Sequence, residues 1–448
     1  MKKKFLILML TLLVGLPCTL TMAACDNKGN VDTRTTLNSN MIYLEYSYTM
    51  YTGVAKEPEV SVELNKQEVS TNEYSVQYAN NTNAGIADVV VSANSDSKVL
   101  AGSASKNFTI SAARIKVETL EDLKSILTND NYSTISLDAD ITIPAGEILT
   151  VEAGKTINCG DFKIVNNGTI VNNGKIKANA NSKLQFEEVA EFASHITLTS
   201  DIELQSNERI NLDAEVAGKN INLDIDLNGY SILGYVRVCG KTYSANVNIK
   251  NYKNTGVIGT ENSDYGIISI GGNSYISLFG LNVLAKYATI ATNGTYEGGS
   301  ISATNCSFTA YSTEIGNNSG LGAYLPAKSS YSFIGCEFTG SSAYYAKSGS
   351  HTLTNCTFNG TQSTYEVPKH YGSGGNATGS ALIIDSSQGY KTPLMLTIFN
   401  GEFNSVAGYG IEEYCSGNVE DYSTTNYYGE LTYNTALENV KIWDSPAA

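Results

Sequence analysis

The sequence predicts an all-β protein in two parts, a small β-sandwich over residues 41–112 and a parallel β-helix over residues 113–448. Three observations carry that expectation. Short stretches of alternating apolar and polar residues run from Met41 to Ser111. An eight-residue phrase then returns at uneven intervals: "ATNCSFTA" from Ala303, "FIGCEFTG" from Phe333, "LTNCTFNG" from Leu353 and "IFNGEFNS" from Ile398. Composition agrees, since 40 Gly and 29 Tyr with only 16% charged residues suit turn-rich β-structure better than helix.

The chain opens with "MKKKFLILMLTLLVGLPCTLTMAAC", a basic start, an apolar run from Phe5 and small residues before Cys25. That is the pattern of a secretory signal. An uncleaved membrane anchor is the alternative, because the apolar run nears spanning length. "MAAC", Met22 to Cys25, resembles the lipobox of bacterial lipoproteins. The resemblance implies that residues 1–24 are a lipoprotein signal peptide, that Cys25 is acylated, and that the mature chain is held at the extracellular face of a bacterial cell membrane. Residues 25–40 are polar and without period, which predicts a flexible tether. Loss of Lys2, Lys3 and Lys4 takes the net charge from −15 to −18, with 26 basic against 44 acidic residues. So acidic a chain is not expected to bind nucleic acid, whose affinity rests largely on phosphate neutralisation. A neutral glycan or a protein partner stays open.

In the first module, "PEVSVEL" places Val60, Val62 and Leu64 on one face, and "YSVQY" does the same for Tyr74, Val76 and Tyr78. Turn clusters such as "NNTNAG" separate such strands, as in a sandwich. The order "YTGVAKEPEVSV", "YSVQYANNTNAGIADVVV", "LAGSASKNFTI" resembles Ig-like modules of Gram-positive surface proteins. That resemblance implies a spacer or adhesive module without chemistry.

In the second module the repeated phrase aligns on Asn251, Gly280, Asn305, Gly335, Asn355, Asn400 and Asn439. All are Asn or Gly, the residues that best tolerate a left-handed backbone, so each marks a bend. Two residues earlier the position is apolar throughout, from Ile249 to Leu437. Three residues later come Asn254, Val283, Phe308, Phe338, Phe358, Phe403 and Ile442. The intervals between anchors are 29, 25, 30, 20, 45 and 39 residues, so the strands are constant and the connections vary. Stacked coils of a parallel β-helix meet this requirement, with each Phe over the next at roughly 4.8 Å. Ahead of the coils, "VETLEDLKSILTND" is the one convincing helix. Thr119 and Asp122 begin it, Leu120, Leu123 and Leu127 form its apolar face, and it is expected to cap the open end of the coil. "LEDLKSIL", "STISLDADITI", "IDLNGYSI", "NCSF" and "NCTF" together resemble right-handed parallel β-helix proteins of the pectate-lyase-like class, over residues 113–448.

Many relatives of that class cleave or bind polysaccharide. Pectate lyases carry acidic calcium sites and a catalytic Arg, whereas the last Arg here is Arg237. The polygalacturonase words NTD, DD and HG are missing, and the one RIK, Arg114 to Lys116, sits at the module junction. A generic pair of carboxylates remains, placed by a second recurring strand: "YGIISIGG", "YATIATNG", "SALIIDSS" and "YGIEEYCS". Lys347, Asp385, Glu412 and Glu413 fall there on three successive coils, either as a charged face in solvent or as an acid–base set. His351, in the column of Ile276, Ile301, Tyr331 and Leu396, is read as a buried histidine. Cys306, Cys336 and Cys356 are read as stacked thiols rather than metal ligands, with adjacent coils also at disulfide-permitting distance. No metal site and no cofactor is expected. The leading expectation is an adhesin-like surface protein that binds a glycan or surface partner without catalysis. Its binding face is expected on three long loops, 309–330, 359–396 and 404–434. The alternative is a polysaccharide lyase or glycoside hydrolase acting through Asp385 and Glu413.

Overall fold

A computed structural model describes residues 32–205, 208–253, 255–293, 297–314, 319–368, 370–371, 374–386, 394–414 and 423–443. Cys25 and the signal segment lie outside them. Among the described residues the chain divides into two compact units, residues 32–49 with 54–110, and residues 50–53 with 111–443.

The first unit is all β. Ile42–Leu44, Val60–Leu64 and Gln67–Glu68 form an antiparallel sheet. A second sheet runs in the order Tyr48–Met50, Ser103–Ser111, Gly85–Ala93 and Tyr74–Ala79. Alternation does the work the pattern implied: Ile42, Val62, Val89, Val91 and Phe108 are buried, while Tyr43 and Ile86 face solvent. The tether expected over 25–40 ends earlier than that. Thr35–Thr36 pairs with Leu100–Ala101 and Leu37 is buried, because its apolar side chain finds the module's core.

The second unit is a parallel β-helix. Nineteen strands make one long sheet and nine make another, and every pairing within them is parallel. One coil shows the plan: Ser274–Phe279, a bend at Gly280, Asn282–Ala285, then Ala288–Thr292. The first two strands lie in the long sheet and the third in the nine-stranded sheet. Equivalent residues stack coil upon coil, so Ile276 lies beside Ile301, Ile301 beside Tyr331, Tyr331 beside His351 and His351 beside Leu396. At the bends, Gly280, Asn305, Gly335, Asn355 and Asn400 take positive φ, from 52° to 64°. Only Gly, or Asn through its short polar side chain, enters that region at low cost.

Two of the seven anticipated bends differ. Asn251 occupies the matching ladder position without the left-handed backbone. Its side chain instead accepts hydrogen bonds from the Gly229 and Lys253 amides, at 3.1 and 3.2 Å. The last coil bends at Gly429 (φ 74°), not Asn439. Val440–Trp443 belongs to the nine-stranded sheet, pairing with Ile411–Tyr414. Tyr433, not Ile442, therefore continues the aromatic column. Rings of Phe308, Phe338, Phe358, Phe403 and Tyr433 stack in series with centroids 5.0, 5.5, 5.1 and 5.2 Å apart.

The three anticipated loops contribute wall as well as connection, and their residues 315–318, 369, 372–373, 387–393 and 415–422 lie outside the described residues. Leu321–Leu325, Leu382–Asp385, Ile411–Tyr414 and Ser423–Thr435 are strands within them. Helix Leu120–Leu127 forms, with the Asp122 amide donating to Thr119 Oγ1 at 3.1 Å and Leu123 and Leu127 buried in the coil core. Two further helices, Lys183–Ala190 and Ala214–Ala217, join it.

Candidate functional site

The nine-stranded sheet has two sides. Its inner side supplies Ile290, Ala323, Tyr344, Leu382, Ile384 and Ile411 to the main core. Its outer side carries Ala291, Tyr324, Tyr345 and Ile383, which make a second apolar cluster with Ala377. Alternation along the strands puts Lys347, Asp385 and Glu412 on that outer side as well. Yet none of the three meets solvent. Lys347 and Asp385 have 0% side-chain exposure, and Glu412 is equally buried. The cover is the segment after Gly360, whose Ala377, Thr378 and Ser380 are themselves buried.

Lys347 and Asp385 meet because Ala346 and Ile384 pair in register and each charged residue comes next. Lys347 Nζ lies 2.7 Å from Asp385 Oδ2, and the Tyr345 hydroxyl donates to the same oxygen at 2.7 Å. Gly375 sits so close to the Tyr345 hydroxyl that a Cβ there would collide with it. Glu412 is held apart from this pair by its own donors. Tyr365 Oη, Thr378 Oγ1, Ser380 Oγ and Trp443 Nε1 reach it at 2.6, 2.5, 2.8 and 3.0 Å. Burial, and then the hydrogen bond to Glu412, raise the Tyr365 pKa. Glu413 is two residues beyond Ile411 and pairs with Ile384, which puts it on the opposite side of its strand from Glu412. The sequence thus places four charged residues on three coils, and the fold brings only Lys347 and Asp385 together.

His351 is buried in its expected column, with the Tyr344 hydroxyl 2.8 Å from Nδ1 and the Ser348 carbonyl 2.8 Å from Nε2. Burial lowers its pKa to about 4, so the ring is neutral near neutral pH. Cys306, Cys336 and Cys356 are buried and unbridged. Burial pushes the Cys356 thiol up to about 11, which keeps it protonated and unreactive. Among the described residues no group of three or more His, Cys, Asp or Glu side chains is arranged to hold a metal ion.

The outer side of the long sheet is the other candidate. Three ladders run across its coils: Tyr275, Ser300, Ser330, Ser350, Met395, Thr424; then Ser277, Ser302, Ser332, Thr352, Thr397, Asn426; then Phe279, Thr304, Ile334, Thr354, Phe399, Tyr428. Each of these residues is at least partly exposed, and none is charged. Charge lies beyond these three ladders: at Lys250, Asp224 and Asp226 in earlier coils, and within the same coils at exposed Lys328, Glu337 and Glu402. Phe399 and Tyr428 stack at 5.0 Å with rings 40% and 51% exposed.

Comparison with family models, with curated proteins and with solved structures found no match. Function is therefore argued from the chain's own geometry.

A cavity of about 620 Å³ opens nearer the start of the coil, between Thr169–Ile170, helix Lys183–Ala190 and strand Arg209–Asp213. Asp213 at its edge is tied to Arg237 at 2.7 Å. Its two aromatic lining side chains, Phe186 and Phe192, are both buried.

Proposed function

We propose that this is a lipid-anchored bacterial cell-surface protein whose β-helix binds a neutral, extended glycan without cleaving it. The signal pattern and Cys25 support the anchor. The quoted resemblances support an Ig-like spacer, a capping helix and a right-handed, pectate-lyase-like coil. The observation that carries the binding reading is the set of three uncharged ladders ahead of the bends of the long sheet. Its ladders present Ser, Thr and Asn at roughly 4.8 Å intervals, a repeat suited to the hydroxyls of an extended sugar chain. Exposed Tyr275, Phe279, Phe399 and Tyr428 border these polar groups and supply apolar surface against which sugar C–H groups pack. A neutral face on an acidic molecule favours a neutral polymer, since a polyuronate would be repelled.

The candidate carboxylates support the non-catalytic half. Glycosidases need two carboxyl groups lining one accessible cleft. Asp385 and Glu412 are fully buried, and Glu413 lies on the other side of its strand.

The test compares retention of the purified chain on an insoluble neutral β-glucan and on a polyuronate of matched length. The reading expects retention on the glucan that persists at high salt. It expects at least a tenfold loss in a Tyr275→Asp, Phe399→Asp double variant, whose substitutions fall on exposed rings. Binding to the polyuronate alone, or equal binding by the variant, would defeat it.

A further inference from the structure

The Lys347–Asp385 pair has no part in a glycan-binding face, and its burial asks for an explanation of its own. Two opposite charges with 0% exposure lie 2.7 Å apart beneath a covering segment. Removing two such charges from water is expensive, and their mutual attraction recovers that cost only with near-complete hydrogen bonding. The pair lies on the same outer side of the sheet as the apolar cluster of Tyr324, Tyr345, Ile383 and Ala377, with the Tyr345 ring centroid 5.9 Å from the Lys347 ammonium. The fold itself aligns the two groups, because paired backbone on consecutive coils fixes both side chains. Such fixation replaces an encounter in solution by an effective concentration many orders of magnitude higher.

We propose that Lys347 and Asp385 are joined by an amide bond that staples consecutive coils. The ammonium first passes one proton to the carboxylate, leaving a neutral amine beside a neutral acid. The Nζ lone pair adds to Cγ, one N–H proton moves to the departing hydroxyl, the Cγ–O bond breaks, and one water leaves. The step is a condensation with no change of oxidation state. Tyr345 donates to Asp385 Oδ2 at 2.7 Å, which polarises the carboxyl group toward addition. The product carries no charge, so the desolvation burden disappears with the bond. The link closes the chain from 347 to 385, the stretch containing the segment that covers the sheet, and limits the freedom of the unfolded chain as a disulfide does.

Peptide mass spectrometry of the full chain, unfolded, reduced and digested with trypsin, tests this. Trypsin does not cut after an amidated lysine. The expected product joins 329–369, uncut at Lys347, to 370–391, and weighs one water less than the two peptides together. In Lys347→Arg, cleavage after position 347 returns and the joined product is lost. Asp385→Ala likewise yields separate peptides of sequence mass. The wild-type digest decides the matter even if a variant folds poorly: cleavage after Lys347 in most molecules, with unlinked peptides of full mass, overturns the proposal. Neither outcome depends on glycan binding, so the two readings fail separately.

Discussion

The position of a single ring fixes what its loss costs. Phe358 is fully buried, stacked between Phe338 and Phe403, with the Tyr344 ring against its edge at 5.9 Å. Phe358→Ala is expected to cost ~3–5 kcal/mol, whereas Thr357→Ala, on the partly exposed side, costs little. Equal shifts in the urea midpoint would show that the inward side is assigned wrongly. His351 gives a pH signature. Its folded pKa, about 4, lies below its ordinary 6.5. Between those values the unfolded chain binds the extra proton, so stability is full above pH 6.5 and falls as pH drops toward 4. The loss attributable to the ring is on the order of 3 kcal/mol. Unfolding free energy measured from pH 7 to pH 4 is expected to fall less steeply in His351→Gln than in the wild type; parallel profiles would exclude the histidine as the cause. The Phe column was legible because one side chain must fill the same space in every coil. Tyr433 was missed because its coil reads "YYGELTYNT", with neither Cys nor Phe beside the bend.

For the strands and bends, backbone geometry decides. Asn355 holds φ at 52° and accepts a hydrogen bond from Asn400 Nδ2 at 2.9 Å. Asn355→Gly is expected to be nearly neutral, whereas Asn355→Val loses ~1–2 kcal/mol, because a branched side chain does not tolerate the left-handed region. Similar thermal midpoints for the two variants would mean that the bend does not need that conformation. The third strand of each coil was only partly legible. "YATIATNG" and "SALIIDSS" carry β-branched Thr and Ile, whereas "LGAYL" and "SAYYA" carry none. All five residues of Leu321–Leu325 and of Ser342–Ala346 are buried, as are those of Ala288–Thr292, so alternation is absent from all three and residue type alone marks the strand. Helix Lys183–Ala190 did leave a signal. Ser182 accepts from the Gln185 amide at 3.3 Å and Gln185 Oε1 accepts from the Asn181 amide at 2.9 Å, a cap readable as Ser-x-x-Gln.

At the scale of the whole molecule, the proposed reading joins a lipid anchor at Cys25 to a glycan-binding β-helix. The anchoring claim predicts that Cys25→Ala leaves the protein unprocessed or frees it from membranes; unchanged membrane retention at unchanged mass would refute it. The candidate charges were legible as a cluster because "SALIIDSS" and "YGIEEYCS" align. Their burial was not, since that of Glu412 depends on distant Tyr365, Thr378 and Ser380 reaching it across the sheet. The neutral side was present in the sequence as Ser, Thr and aromatic residues before each bend, but only the register of six coils assembles it into a surface. The most direct test incubates the soluble 25–448 chain with a neutral glucan and follows bound protein and new chain ends together. Salt-resistant binding, lost in the Tyr275→Asp, Phe399→Asp variant and accompanied by no new ends, is the predicted result. Release of reducing or unsaturated ends that vanishes in Asp385→Asn would contradict the account and establish a depolymerising enzyme instead.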